Sequence, residues 1–463
     1  MTDTPTKTHG PKREHGVAVD RRTVLQGMAT AAAGIGATGL FAPAVHAQAK
    51  KFAGVTISGA AFQSVFWENL KAYIPEFEAQ SGAKVDLQTQ AFPVYNQRMD
   101  LELSTKGSAY DFCCVTFIYS SRWIGAGWLS NLDEFTKDPN KTAAGWDAAD
   151  FVSGTQSPLI NPKGETFGFA WEAGPMLMAM SRYDLIEKAG MKTPTTFAEL
   201  QAVCAAVNGK EGVAGYVNDR LHHWHLMPFL MGMGGNLFRN PPGDLYPTID
   251  TPEAAEAAEY YSRLLTEYGP PGVMSFSDDQ AMRAQMAGRA NIRTQSVLWV
   301  APLVTNPDST VAKTTRYSLM PSGPKGDFPG SNSHGLGIPA GSKNKDAAWA
   351  FVQWALSKEL LQRMLADKGY ASICRRSVID SPEYRKRMTL NGQDVAALYL
   401  QVLEQGGKGG YMKYRTVPVF PQVGDKINKA VERIASKQQG SREAMKQAQE
   451  EIIAELKKSG IPI

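Results

Sequence analysis

Between residues 55 and 116 the chain alternates short β-type runs with longer amphipathic stretches, and this rhythm restricts the fold more than any other feature of the sequence. Val55-Thr56-Ile57 reads as a first strand, followed by a loop over 58–61. Phe62, Val65, Phe66, Leu70, Tyr73, Ile74 and Phe77 keep one helical face apolar, Pro75 forces a kink or restart, and Gly82 closes the segment. Residues 85–89 alternate as a second strand, 93–105 form another helix, and 110–116 make a third, buried strand. Strand, helix, strand, helix, strand is the pattern of an α/β protein whose parallel sheet is covered on both faces. Ligands of such sheets sit outside the carboxyl ends of the strands, so the loops at 58–63, 91–97 and 116–122 become candidate walls.

A second informative stretch, 164–200, reads as a crossing between two lobes. A turn and short strand lead to Trp171 and Glu172, an aromatic plate beside an acceptor, where the apolar run 175–180 begins. A short helix at 183–189 closes at Gly190, and Thr195 or Thr196 can cap the next helix, whose Phe197, Leu200, Val203 and Cys204 share one face. Further on, Thr251-Pro252-Glu253 opens a helix, Ser277 to Gln280 has capping-box spacing, and 290–294 alternates like a strand. Residues 321–335, rich in Pro, Gly and Ser, read as a loop or second interlobe crossing. A helix at 346–355 and a C-terminal helix carrying Met445, Ala448, Ile452 and Leu456 complete the chain.

At 463 residues the chain is too long for a single core and suggests two or three domains. Residues 1–47 are set aside as an export signal. Asp20-Arg21-Arg22-Thr23-Val24-Leu25-Gln26 resembles the twin-arginine motif, precedes a weakly apolar Ala- and Gly-rich stretch, and is followed by Val45-His46-Ala47 as a cleavage site. Ordinary Sec export is the alternative. The remainder is nearly neutral, with 44 Lys or Arg against 42 acidic residues, which gives no support to nucleic-acid binding. Cys113 and Cys114 are adjacent in a strand and favour buried thiols; a Cys204–Cys374 bridge stays open.

Nucleophile and nucleotide motifs are absent: there is no G-x-S-x-G, no P-loop and no G-x-G-x-x-G after a strand. Three of the four histidines beyond the leader fall in 221–225, where His222 and His225 at i and i+3 could face a metal, but no ligand set completes them, and neither a metal nor a cofactor is expected. Aromatic and amide groups in loops are plentiful. Phe62, Tyr95, Tyr119, Trp171, Trp224 and Trp299 supply flat apolar faces, and Gln63, Asn96, Glu172, Asn236, Gln295, Asn332 and His334 supply donors and acceptors. Such a mixture suits sugars, which present C–H faces and a rim of hydroxyls.

The spaced motifs resemble those of the extracellular solute-binding proteins of ATP-driven sugar importers, the family of maltose- and glycerol-phosphate-binding proteins. Tyr110-Asp111-Phe112 followed by Gly127-Trp128-Leu129-Ser130-Asn131-Leu132-Asp133 is similar to one family run. Phe167-Gly168-Phe169, Tyr183-Asp184-Leu185, Lys188-Ala189-Gly190 and Thr193-Pro194-Thr195-Thr196-Phe197-Ala198-Glu199-Leu200 continue it. Ala287-Gly288-Arg289-Ala290, Pro321-Ser322-Gly323-Pro324-Lys325-Gly326 and Ser342-Lys343-Asn344-Lys345 follow in the family order. The resemblance implies a two-lobed periplasmic binding protein of type II, with a hinge, a ligand cleft between the lobes and delivery to a membrane permease of an ABC importer. It implies a monomer, periplasmic after cleavage near Ala47, with one lobe from 48–170 plus 334–380 and the other from 171–333 plus 381–463. By position, cleft walls fall on 58–63, Tyr95, Asn96, Thr116 to Tyr119, Trp171, Glu172 and the segment before Trp299, with later crossings near 332–335 and 377–387. Arg182-Tyr183 and Thr116 depart from the family pattern. Arg122 and Arg375, the basic residues near these walls, keep a phosphorylated ligand open. The expected function is capture of a carbohydrate or related polyhydroxylated solute without turnover, the alternatives being an exported carbohydrate-active enzyme and a receptor for a non-sugar such as a polyol or phosphate ester.

Overall fold

A computed structural model describes residues 50–463 apart from 242, 410–413, 416 and 418, so the leader expected at 1–47 lies outside the described residues. The strands are β1 (Thr56–Phe62), β2 (Lys84–Gln90), β3 (Phe112–Val115), β4 (Phe169–Ala173), β5 (Met176–Met180), β6 (Ala214–Tyr216), the small pair β7 (Phe238–Asn240) and β8 (Asp244–Pro247), β9 (Ala290–Ser296), β10 (Arg316–Ser318), β11 (Ser333–Gly337) and a last short pair, β12 (Thr389–Leu390) and β13 (Gln393–Asp394). They build two principal sheets. The first has the order β2-β1-β3-β11-β4, with β1 parallel to β2 and β3, and β11 antiparallel to β3 and β4. The second has the order β10-β5-β9-β6, with β6 parallel to β9 and β5 antiparallel to β9 and β10.

The alternating rhythm at the start of the chain gives the parallel β1, β2 and β3, with helices Val65–Lys71, Ile74–Ser81 and Phe92–Ser104 between them. Pro75 restarts the second helix in its first turn, and Gly82 ends it at φ 84°, a left-handed conformation that favours glycine. The loop expected at 58–61 is instead the middle of β1. Its residues are small because the strand is central: a Cβ on Gly59 would lie 1.9 Å from Cζ of Phe112. Thr196 and Glu199 form a reciprocal capping box on helix Phe197–Val207, and Ser277 and Gln280 do the same for helix Asp278–Met286.

Two hydrophobic clusters underlie the two sheets. Phe66, Trp67, Phe112, Trp171 and Trp349 belong to the first, and Leu200, Phe229, Tyr261, Ile292, Ile427 and Ile452 to the second. Strand β5 serves both, because its period of two sends Leu177 and Ala179 into the first cluster and Met176, Met178 and Met180 into the second. Each fully buried large side chain contributes about 1.5–3 kcal/mol through lost apolar exposure. Val395, Tyr399 and Leu403 pack with the first cluster and Tyr414, Val417 and Phe420 with the second, so the change of cluster in this segment falls beyond Leu403. All four cysteines are free and buried, with Cys204 in the second cluster and Cys374 in the first. Among the described residues no helix is long and apolar enough to cross a membrane.

The topology places one edge of each sheet at the crossing between them. Strands β1, β2, β3 and β4 end on the same edge of the first sheet, where β11 begins. The chain then passes through Gly174 and Pro175 into β5, whose first residue, Met176, pairs with Ser296 at the end of β9.

Candidate functional site

On the first sheet's edge, Phe62 ends β1, Phe92 starts the helix after β2, Phe117 follows β3, and His334 lies on β11. The His334 ring is 4.8 Å from Phe62, 5.8 Å from Phe92 and 5.0 Å from Phe117, and lies nearly parallel to Trp171 at 5.9 Å. Burial pushes its imidazole down to about 3, with Arg415 adding to the effect, so the ring is neutral at physiological pH. Its Nδ1 has no hydrogen-bond partner among the described residues.

Trp171 is 1% exposed. Phe66 packs at 4.8 Å and His334 at 5.9 Å, while its Nε1–H donates to the Gly335 carbonyl at 3.1 Å. The ring expected to stack on a ligand therefore supports His334 and Phe62 from behind. Strand alternation turns Glu172, opposite His334 in the register, to the other side of β4. Glu172 is half-buried and has no hydrogen-bond or ion-pair partner among the described residues; burial pushes its carboxyl up to about 7. Near neutrality it can both donate and accept.

Several expected wall residues brace this edge. The buried Tyr95 hydroxyl donates to the Cys114 carbonyl at 2.6 Å. Asn96 Oδ1 accepts from Thr116 Oγ1 at 2.7 Å while its Nδ2 donates to the Phe92 carbonyl, tying the helix to the end of β3. Gln63 is exposed just after β1, and Tyr119 is half-buried against Trp123 at 5.7 Å. Arg122 pairs with Asp100 at 2.8 Å. Arg375 is committed elsewhere: it donates to the carbonyls of Leu356 and Asp147, pairs with Asp150 at 3.1 Å and packs over Trp146 and Phe151.

The second sheet contributes Gln295 and Ser296 at the end of β9. Gln295 Oε1 accepts from Trp224 Nε1 at 3.2 Å and from the Ser296 amide at 2.7 Å, while its Nε2 donates to Asp219 and Asp278. Its capacity goes to holding Trp224 in place. Asp219 also accepts from His225 Nε2 at 2.9 Å and Arg293 at 3.1 Å. Burial opposes ionisation of Asp219, yet His225 and Arg293 hold its carboxyl well below the usual range. Asp278, which also pairs with Arg293, is pushed up by burial and by the neighbouring Asp219.

The histidines at 222, 223 and 225 do not converge. His222 Nδ1 meets the Tyr261 hydroxyl at 3.2 Å, His223 packs on Phe420 at 5.3 Å, and His225 faces Asp219. Among the described residues no group of three or more His, Cys, Asp or Glu side chains could hold a metal ion. Asn236 is exposed before β7, and Trp299 is 40% exposed on helix Val297–Val300. Asn332 lies at the second crossing, where its carbonyl accepts from the Gly174 amide at 2.9 Å.

Sequence reasoning missed Phe92, Phe117 and Arg415. The two phenylalanines lie inside the loops read as walls, but nothing in their spacing separates a cleft ring from a core ring. Arg415, buried, lies 4.9 Å from the ring of Phe117, just after β3, and 3.9 Å from the Trp224 ring, both members of the second cluster.

The family model described as bacterial extracellular solute-binding protein matches residues 20–360. The chain belongs to this family. A mannitol-binding protein of Pseudomonas aeruginosa is 24% identical over 385 residues, covering 80% of this chain and 85% of that protein. A maltotriose-binding protein of Pyrococcus abyssi is 23% identical over 362 residues, covering 75% of this chain and 74% of that protein. Among solved structures, an ABC transporter solute-binding protein from Agrobacterium radiobacter K84 in complex with ribitol superposes with a TM-score of 0.73 at 22% identity, covering 87% of this chain and 99% of that chain.

For an extracellular solute-binding protein of the ABC importers the arrangement of edges has a direct meaning. The fold is two-lobed, and the two sheets present strand ends to the crossing between them. The resemblance read from the spaced motifs therefore holds for the family and for the fold, and the family is one of binding proteins.

Proposed function

We propose that this solute-binding protein captures a small carbohydrate-like, polyhydroxylated solute between its lobes, releases it unchanged to an ABC permease, and works as an exported monomer after cleavage near Ala47. The observation that carries the reading is the clustering of rings at the strand edges beside the crossing, next to β4, which carries a carboxyl without a partner among the described residues. Phe62, Phe92, Phe117 and His334 cluster at one strand edge, and Trp224 is fixed by Gln295 at the other. Glu172, without a partner of its own among the described residues, is suited to exchange hydrogen bonds with hydroxyls. The mannitol, ribitol and maltotriose in the descriptions of the relatives are all polyhydroxylated, which supports the same ligand class here.

In this reading the first lobe comprises 50–173 and 333 to about 403, and the second comprises 176 to about 320 and 414–463, following the two sheets and, in the C-terminal segment alone, the change of cluster. Closure is stabilised only when ligand contacts both lobes. Small-angle scattering of the exported protein against D-mannitol, ribitol, maltose and maltotriose tests this. One ligand class is expected to reduce the radius of gyration saturably; an unchanged scattering profile at saturating ligand would contradict hinge closure.

A further inference from the structure

Tyr216 of β6 pairs in parallel with Ile292 of β9, so Asp219 and Gln295, each a little further along, reach the same edge of the second sheet. Asp219 is 1% exposed, and several donors converge on its carboxylate. Oδ1 accepts from the Leu221 amide at 2.9 Å, while Oδ2 accepts from His225 Nε2 at 2.9 Å, Arg293 Nη2 at 3.1 Å and Gln295 Nε2 at 3.1 Å. Only a group that accepts at both oxygens answers all of these; a side-chain amide there would set its own NH2 against one donor or the others. Neutralising Arg293 does not by itself require Asp219, because Asp278 also pairs with that guanidinium.

The Gln295 amide carries the arrangement toward the cleft. Its NH2 donates to Asp219 and Asp278, and its carbonyl is thereby turned to Trp224 Nε1–H at 3.2 Å and to the Ser296 amide at 2.7 Å. Rotated by half a turn, the same amide would face donors with its NH2 and carboxylates with its oxygen, so every one of these contacts would be lost. We propose that Asp219 is a positioning residue for the cleft: by orienting the Gln295 amide it fixes Trp224 and the end of β9 at the crossing before any solute arrives. This deepens the function proposed above and rests on its reading of Trp224 as a wall of the cleft. A wall already held in place spares binding the cost of ordering it.

Nitrogen-15 NMR of the tryptophan indoles in the exported, folded protein tests this without a ligand, with Trp224→Phe assigning the Trp224 signal. In Asp219→Asn the Trp224 indole N–H should exchange with solvent about tenfold or more faster than in the wild type. The indoles of Trp123, which donates to Asp100, and Trp349, which donates to Thr142, should keep their wild-type exchange. Gln295→Met leaves Asp219 with His225 and Arg293 and should give the same acceleration, which keeps the test decisive even if Asp219→Asn does not fold. Calorimetry with D-mannitol, ribitol, maltose and maltotriose gives a second readout. Each single variant should weaken the tightest of the four about tenfold, and adding Asp219→Asn to Gln295→Met should cost less than about twofold more. Unchanged exchange at Trp224 in Gln295→Met, equal acceleration at the control indoles in Asp219→Asn, or additive losses of affinity overturn the inference. If the wild type binds none of the four, the proposed ligand class falls, and the indole exchange still decides the role of Asp219.

Discussion

Glu172 and His334 face each other in the strand register, and burial shifts them in opposite directions on the pH scale. The Glu172 carboxyl is raised to about 7, so it costs nothing below about pH 4.5, where folded and unfolded states are both protonated, and the penalty grows as pH rises from there to about 7 and stays constant above. Glu172→Gln should therefore gain stability relative to the wild type from pH 5 to pH 8, by on the order of 2 kcal/mol once its partial exposure is allowed for. The same change should weaken solute binding about tenfold or more. Thermal unfolding at the two pH values and calorimetry check the pair of outcomes, and a constant stability difference across pH would count against a buried, unpartnered carboxyl. His334, depressed to about 3, is neutral in the folded state, so its contribution is present above about pH 6.5 and lost as pH falls toward 3. A phenylalanine at 334 should flatten that acid limb.

Trp171 shows what sequence alone leaves open at this scale. Its adjacency to Glu172 marks a site, but an aromatic beside an acid carries no sign of which faces are occupied. With Phe66 and His334 against the ring, Trp171→Ala is a core deletion, expected to cost about 3–5 kcal/mol of folding stability. A denaturant midpoint unchanged by that substitution would show that the ring is free to meet ligand.

Among the elements, those with local chemical signals were legible. The capping box at Ser277, the helix restart at Pro75, the stop at Gly82 and a threonine cap at 195 or 196, which the structure places at Thr196, each follow from a side chain or φ requirement within four residues. Thr196→Ala should cost about 1 kcal/mol, read as a lowered denaturant midpoint with unchanged slope, because the Glu199 amide loses its acceptor. The central part of β1 was illegible because Ser58 to Ala61 have the composition of a loop, and only the approach of Phe112 explains their smallness. Arg415 was invisible for a similar reason: its partners lie near residues 117 and 224, far away in sequence, and no period or spacing announces them. The first crossing is tight enough to test. A Cβ on Gly174 would stand 2.3 Å from Asn332 Oδ1 and 2.7 Å from Ser296 Oγ, so Gly174→Ala must move the Asn332 and Ser296 side chains at the second crossing and the end of β9. Reduced solute affinity and altered closure in scattering are expected; wild-type behaviour in both would show that the crossings are not coupled to the cleft.

For the whole molecule, the sheets, their shared crossing and the family agree on one use: a receptor whose lobes are held together through the solute they enclose. The alternating strand–helix rhythm and the spaced motifs announced that architecture because a parallel sheet needs crossovers and a crossover needs length. The solute's identity was not announced, since it depends on rings and polar groups contributed by distant segments. Calorimetric titration of the exported protein with the sugar and polyol panel, followed by recovery of the ligand, is the most direct measurement. The account predicts saturable one-to-one binding in about the nanomolar to micromolar range, with the ligand recovered chemically unchanged. Absence of binding across the panel, or steady conversion of a bound compound to product, would contradict it.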